Sequence, residues 1–405
     1  MTISSARPRT EERLITPLFL LVMLSTLGYF TAIGAIIPIL PRYVEGPLDH
    51  GSLAVGLTVG SFALSAVVLR PFVGRISDRR GRRLLITGGG ISLGLAIAAY
   101  ALVDSLPALL VLRVVSGIGE AFYYVGVASV ISDISPTDRR GEAFSYFSLA
   151  LFGGLALGPV VGETVLDLGS FSSVWLTAGA CTVFAGLLGF FIPDTRPEGA
   201  AEQHGGRIVH PAAVLPGTVL ATNIWALATF SSFVPLYALR LGLDGSRLVF
   251  VLNSVIILLI RSFGARLPDR LGPRVAGRTA LMSTAIGLTT LGLWASPVGL
   301  FVGTAIYSVG HALAFPALMT LALNSAPERE RGSVVGTFTA FFDLSFGVGA
   351  VSAGVIAGAL GYRGAFVAAG IVALCGIVLL LGAARGADRR RVAAEGAEEA
   401  VVLGR

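Results

Sequence analysis

Twelve stretches of about 20 predominantly apolar residues recur along the chain, from 17–40 to 364–384, each long enough to cross a bilayer as a helix. That recurrence decides the fold class. Inside lipid the backbone must satisfy its own hydrogen bonds, which leaves only helices and closed barrels. Barrel strands are shorter and alternate apolar with polar side chains, and these segments do neither. Composition points the same way: 54% of the 405 residues are hydrophobic and only 13% are charged, too few to clothe a soluble protein of this size. The chain is read as an all-α membrane protein. No cleavable leader is expected, because the first apolar run is too long for a signal core and lacks a small-x-small exit.

Every one of the 30 basic residues is an arginine, and the net charge is +6. Threading twelve spans with both termini on one side leaves only Arg42, Arg240, Arg247 and Arg363 on the other. Positive residues are retained on the cytoplasmic side. Both termini are therefore expected in the cytoplasm, in a multi-pass protein of the bacterial inner (plasma) membrane. The expected organisation is a cytoplasmic segment 1–16, a six-helix bundle 17–192, a cytoplasmic linker 193–212, a second six-helix bundle 213–384 and a cytoplasmic tail 385–405. The linker is the longest polar interval between spans. Cys181 and Cys375 lie inside apolar runs, so no disulfide is expected.

The two halves repeat. At an offset of 191 residues Arg70, Phe72, Arg75, Asp78, Arg79, Gly81 and Arg83 align with Arg261, Phe263, Arg266, Asp269, Arg270, Gly272 and Arg274. The same offset carries Gly119 to Gly310 and lays "SPTDRRG" on "APERERG". Internal repetition of this kind is a common plan of secondary transporters, with the substrate site between the halves near the bilayer midplane.

Three motifs carry a family resemblance. Between spans 2 and 3, "GRISDRRGRR" (Gly74, Asp78, Arg79, Gly81, Arg82 and Arg83) resembles the G-x-x-x-D-R-x-G-R-R/K signature of the major facilitator superfamily. In span 4, "LRVVSGIGEA" resembles that family's R-x-x-x-G-x-G motif at Arg113, Gly117 and Gly119. In span 5, "GGLALGPVVGE" resembles its antiporter motif at Gly154, Gly158, Pro159 and Gly162, with Glu163 replacing the final glycine. The resemblance covers nearly the whole chain. It implies twelve helices in two pseudo-symmetric six-helix bundles, and it points to the twelve-span drug/proton antiporter branch. It also implies that Asp78 sits against the N-terminal end of span 11, at Arg331-Gly332-Ser333, where a helix dipole favours an anion. Arg82 is expected to reach Asp133 at the end of span 4, because the offset replaces them together, by Pro273 and Asn324. Solvated charges that merely anchor topology are the alternative for this cluster. Pro71 and Gly74 are expected to end span 2, and Gly81 to permit the tight return.

Ionisable residues inside the spans mark function by default, because burying a charge in lipid costs at least about 2.5–3.5 kcal/mol. Arg113, Ser116, Gly117, Glu120, Tyr123 and Tyr124 share one face of span 4. The offset carries Arg113, Ser116 and Glu120 to Thr304, Tyr307 and His311 in span 10. Asp343 stands alone in mid-span 11, on a face of small residues. Glu120, Asp343, His311 and Glu163 are the candidate proton-coupling groups, since a carboxylate in an apolar site can exchange protons near neutral pH and histidine titrates there. A static partnership of Asp343 with Arg113 is the alternative. Glu163, near the outer end of span 5, is equally consistent with simple contact with water. Tyr29, Phe62, Arg113, Ser116, Tyr123, Tyr124, Asn223, Trp225, Asn253, Tyr307 and Phe342 are candidate cavity lining, suited to an amphipathic ligand.

These features converge on a secondary transporter exporting a small, amphipathic organic molecule in exchange for protons, with the bilayer as its surroundings and a monomer as its expected state. A nutrient or sugar importer, or a sugar exporter, on the same scaffold is the nearest alternative. A membrane receptor or enzyme is a rival from another class, and no metal-ligand spacing, phosphate loop or nucleophile elbow supports it. No cofactor is expected. Nucleic-acid binding is excluded because the arginines alternate with spans rather than gather in one domain.

Overall fold

The computed structural model describes residues 14–136, 139–195, 209–263, 271–327 and 330–403; the side chains of residues 71, 74, 75, 78, 331, 332 and 383–403 also lie outside the description. Every described regular element is a helix. The first half holds α1 (Pro17–Glu45), α2 (Ser52–Arg80), α3 (Arg82–Ala99), α4 (Leu106–Ile134), α5 (Arg140–Leu168) and α6 (Phe171–Leu188). The second holds α7 (Pro211–Arg240), α8 (Arg247–Phe263), α9 (Pro273–Leu293), α10 (Pro297–Leu323) and α11 (Arg331–Leu403). α11 breaks at Gly361, whose φ of 72° lies in the left-handed region, so its two limbs supply the last two of the twelve expected spans. Among the described residues nine segments are long and apolar enough to cross a membrane, the 50-residue Ser333–Gly382 counting as one of them. α8 and α9 complete the two sets of six.

Helix starts follow from local chemistry. The Thr16, Ser170 and Ser296 hydroxyls accept from the N–H of Phe19, Ser173 and Gly299, closing orphan donors of the first turn. Proline at the first position of α1, α7, α9 and α10 sits where its missing N–H costs nothing. The α2–α3 and α8–α9 connections turn at Gly81 and Gly272, with φ of 97° and 78°. These two glycines are equivalent under the 191-residue offset.

One expectation is corrected. Span 2 does not end at Pro71 and Gly74: α2 runs unbroken to Arg80, its far turns anchored by the buried Val73 and Ser77. A proline within a helix forfeits one hydrogen bond, a loss that packing on this scale can offset.

Small residues let helices meet backbone to backbone. A Cβ on Gly34 of α1 would lie 3.1 Å from the Gly158 Cα of α5, and Gly154 and Gly162 press on α1 in the same way. The antiporter-motif glycines thus form the strip for a close helix neighbour that their spacing predicts. The halves meet along a similar seam, with Gly56 and Gly60 of α2 against Ala350, Gly354 and Gly347 of α11.

Candidate functional site

Three helices bring an ion cluster to the centre of the molecule. α2 contributes Arg70, α4 contributes Glu120 and α11 contributes Asp343. The Arg70 Nη1 donates to Asp343 Oδ2, and its Nη2 donates to Glu120 Oε1 at 3.4 Å. The side chains are 21%, 12% and 10% exposed in the order Arg70, Glu120, Asp343, so little water shares the cluster. Tyr124 covers it, with the Arg70 guanidinium 4.9 Å from the ring centroid. Two carboxylates face one guanidinium, so the cluster is neutral only with one proton aboard. Glu120 Oε2 and Arg70 Nε make no hydrogen bond among the described residues. Arg70 and Glu120 belong to the first half and Asp343 to the second, which makes this an ion pair across the join.

The 191-residue offset maps this cluster onto a second one of different chemistry. Arg70, Glu120 and Asp343 correspond to Arg261, His311 and Phe152. The contact is reproduced: the Arg261 guanidinium lies 4.0 Å from the Phe152 ring centroid, a cation over an aromatic face where its twin meets a carboxylate. Tyr124, whose ring faces Arg70, and His311 are both within electrostatic reach of Arg261. The Arg261 Nε and His311 Nδ1 are buried and have no hydrogen-bond partner among the described residues.

Arg113 is elsewhere. Its Nε donates to the Thr58 carbonyl at 2.9 Å and its guanidinium lies 4.5 Å from the Phe62 ring centroid. It is not the partner of Asp343. That partner is Arg70, which the sequence reading gave no role beyond its place in the repeat.

Several of the expected lining residues are packed away in this conformation. Tyr29 and Tyr123 are stacked with ring centroids 3.7 Å apart, and Ser116 bonds Tyr100 at 2.6 Å. Asn223 donates to Thr284 at 2.8 Å, and Tyr307 stacks on Phe230. All five are fully buried among helices. Their aromatic and amide groups fix helix–helix contacts, so they are corrected from open lining to packing. Asn253, also buried, accepts from Ser308 at 2.9 Å; Trp225 donates to Ser352 at 2.6 Å; and Phe342 meets Phe315 edge-on. Phe62 and Tyr124 remain partly open beside the arginines they face.

At the arginine-rich end Arg82 Nε donates to Asp133 Oδ2 at 3.2 Å and its Nη1 to Ser77 at 2.7 Å, while Thr195 donates to Asp133 at 2.9 Å. The Arg83 guanidinium lies over Phe190 and Arg79 is exposed. Gly74 and the Asp78 side chain, with its expected seat at Arg331-Gly332, lie outside the described residues.

The arginine-poor end carries two clasps between the halves, neither of which the sequence indicated. Glu163 does not sit in water: it is 1% exposed, its Oε1 accepting from the Ser246 N–H and hydroxyl at 2.8 and 2.7 Å and its Oε2 from the Arg247 N–H at 2.9 Å. It thus caps the N-terminus of α8, where the helix dipole favours an anion. Arg247 also reaches Asp167 at 3.1 Å. In the other clasp the Tyr362 hydroxyl donates to Glu45, and Arg240 joins both at 3.3–3.4 Å.

The chain was compared with known proteins. Residues 18–345 and 248–404 match the Major Facilitator Superfamily. An uncharacterised MFS-type transporter of Salmonella typhimurium is 29% identical over 386 residues, covering 92% of this chain and 97% of that one. Another, of Methanocaldococcus jannaschii, is 25% identical and covers 84% and 91%. Among solved structures, a bacterial homologue of the human lysosomal transporter Spinster, inward-facing and unoccupied, superposes with a TM-score of 0.78 at 16% identity, over 91% of this chain and 96% of that one. Twelve spans in two offset halves, the loop signature between α2 and α3 and the match along nearly the whole length lead to one assignment: the chain belongs to the Major Facilitator Superfamily, as a multi-pass membrane transporter.

Proposed function

We propose that the protein exports a small organic molecule from the cytoplasm in exchange for protons, by alternating access between its two halves. The observation that carries this reading is the Arg70–Glu120–Asp343 cluster, in which one guanidinium serves two carboxylates drawn from opposite halves. Rocking the halves apart separates Arg70 from Asp343. An unpaired charge in that setting is costly, so a proton on Asp343 is the natural companion of that motion, and its return to water the companion of closure. Glu120, with one oxygen unpartnered, is the second place for it.

The clasps at the arginine-poor end support the direction. Glu163 with Ser246 and Arg247, and Glu45 with Tyr362 and Arg240, hold that end shut. With the arginine-rich end cytoplasmic, these clasps close the outer side, as a cavity that loads from the cytoplasm requires. A proton moving inward releases ~2.3 kcal/mol per 100 mV, enough for more than tenfold uphill export.

The test is flux in proteoliposomes of known orientation, with a candidate substrate panel, an imposed pH gradient and a pH dye in the lumen. Substrate and protons are expected to move in opposite directions. Movement in the same direction would make the protein a symporter and overturn the export reading.

A further inference from the structure

The second cluster is the least compensated place in the core. Of the three arginines set among the helices, Arg70, Arg113 and Arg261, only Arg70 is paired with carboxylates among the described residues, those of Glu120 and Asp343. Among the described residues Arg261 has no ion pair and its Nε no hydrogen bond, in a setting where buried cations are normally paired. The position that would neutralise it under the internal symmetry holds Phe152, while its twin holds Asp343. His311, in the place of Glu120, adds a second buried nitrogen without a partner.

We propose that Arg261 and His311 form an anion-binding subsite that takes the carboxylate or phosphoryl head of a small organic anion, with Phe152 and Tyr124 as apolar walls for its body. The Arg261 Nε–H and, in its Nδ1-protonated tautomer, the His311 imidazole are buried donors without an acceptor among the described residues, and a carboxylate or phosphoryl oxygen supplies those acceptors. Phe152 holds the guanidinium flat by its π-face, which orients the fork without using any of its N–H groups. Phe152 is on α5 and Arg261 on α8, so the subsite lies on the join between the halves, where a transported molecule must sit. The internal duplication thus yields two unlike arginine sites: one closed by the protein's own acids, the other left for the acid of a substrate. This deepens the transport reading above, and it selects organic anions over the organic cations that a negatively charged site would favour.

The experiment uses the full chain in detergent, with no gradient, and reads binding of 1-naphthoate by fluorescence against 1-naphthylmethyl-trimethylammonium, which has the same aromatic body and the opposite head. Saturable naphthoate binding at least tenfold tighter than the ammonium compound is expected. Arg261→Gln should weaken naphthoate by about 10- to 100-fold, the range of charge-assisted hydrogen bonds. Phe152→Asp, which supplies Arg261 with the carboxylate its twin already has, should weaken it as much while leaving the arginine in place. Both variants must elute as monodisperse protein and keep the wild-type melting temperature within a few degrees; if one fails this, the other decides. Absent naphthoate binding, equal or tighter ammonium binding, or naphthoate binding unchanged in a folded Arg261→Gln or Phe152→Asp protein would overturn the proposal. Because no pH gradient enters, naphthoate binding without proton-driven flux would sink the coupling reading and leave the subsite standing. Proton-driven export of the ammonium compound alone would do the reverse.

Discussion

Glu163 of the first half accepts both the backbone N–H and the hydroxyl of Ser246 of the second, at 2.8 and 2.7 Å. The residue that departs from the antiporter motif is thereby the one that ties the two bundles together at one end. Glu163→Gln keeps the shape but replaces one accepting oxygen with an amide donor that faces the Arg247 N–H. Losing charge-assisted bonds of this kind costs about 1.5–3 kcal/mol, all of it from the closed arrangement. The equilibrium should move about 10- to 100-fold toward opening at that end. The distance between spin labels on the exposed positions 168 and 248 measures it. An unchanged distance distribution would show that the clasp is incidental.

Neutralising the central acids should separate coupling from binding. Asp343→Asn leaves Arg70 with Glu120, and Glu120→Gln leaves it with Asp343. Each variant is expected to lose uphill accumulation driven by a pH gradient and to retain gradient-free substrate exchange. Full coupling in both single variants would place the proton elsewhere.

Arg82 and Asp133 should behave as a structural pair at the arginine-rich end. Their side chains are only 8% and 13% exposed, so Arg82→Gln strands a carboxylate that Thr195 alone then serves. A loss of roughly 1.5–3 kcal/mol is expected, read as a lower melting temperature. The double variant Arg82→Gln with Asp133→Asn should recover part of it, because no stranded charge remains. Additive losses would mean the two residues do not interact.

Much of this architecture could be read from the chain because lipid imposes it. A backbone that must satisfy itself gives away every span by length, and the offset of 191 residues gives away the two halves. Arg82 and Asp133 were legible as partners because the second half lacks both at once. Arg70 was not, because a helix passing through positions 71 and 74 looks, residue by residue, like a helix ending there. Its place beside Asp343 depends on how α2 packs against α11, which no local pattern encodes. Phe152 was hidden for a related reason: an aromatic residue in an apolar span carries no mark of the guanidinium above it. The clasps escaped because their partners sit on different helices far apart in the chain: Glu45 lies 195 residues from Arg240 and 317 from Tyr362.

Topology has its own check. Single cysteines at 48–50 and 361–363, in a background lacking Cys181 and Cys375, should react with an impermeant maleimide from outside the cell, and cysteines at 200–206 should not. The inverse pattern would place the arginine-rich end outside and reverse the direction of transport proposed above.

At the seam Gly56 and Gly60 of α2 lie against Gly347 and Gly354 of α11, backbone close to backbone, with only the Val351 and Leu64 side chains pressed onto Gly60 and Gly347. Surfaces with so few interlocked groups can tilt against one another, which suits the seam to serve as a pivot. The barrier to turning then gathers at a few polar contacts far from the pivot, where each has leverage on the whole bundle. Speed of switching becomes separable from stability of fold. A bulky residue at position 60 should slow the cycle without unfolding the protein, while softening a clasp should quicken it, and the two should compensate when combined.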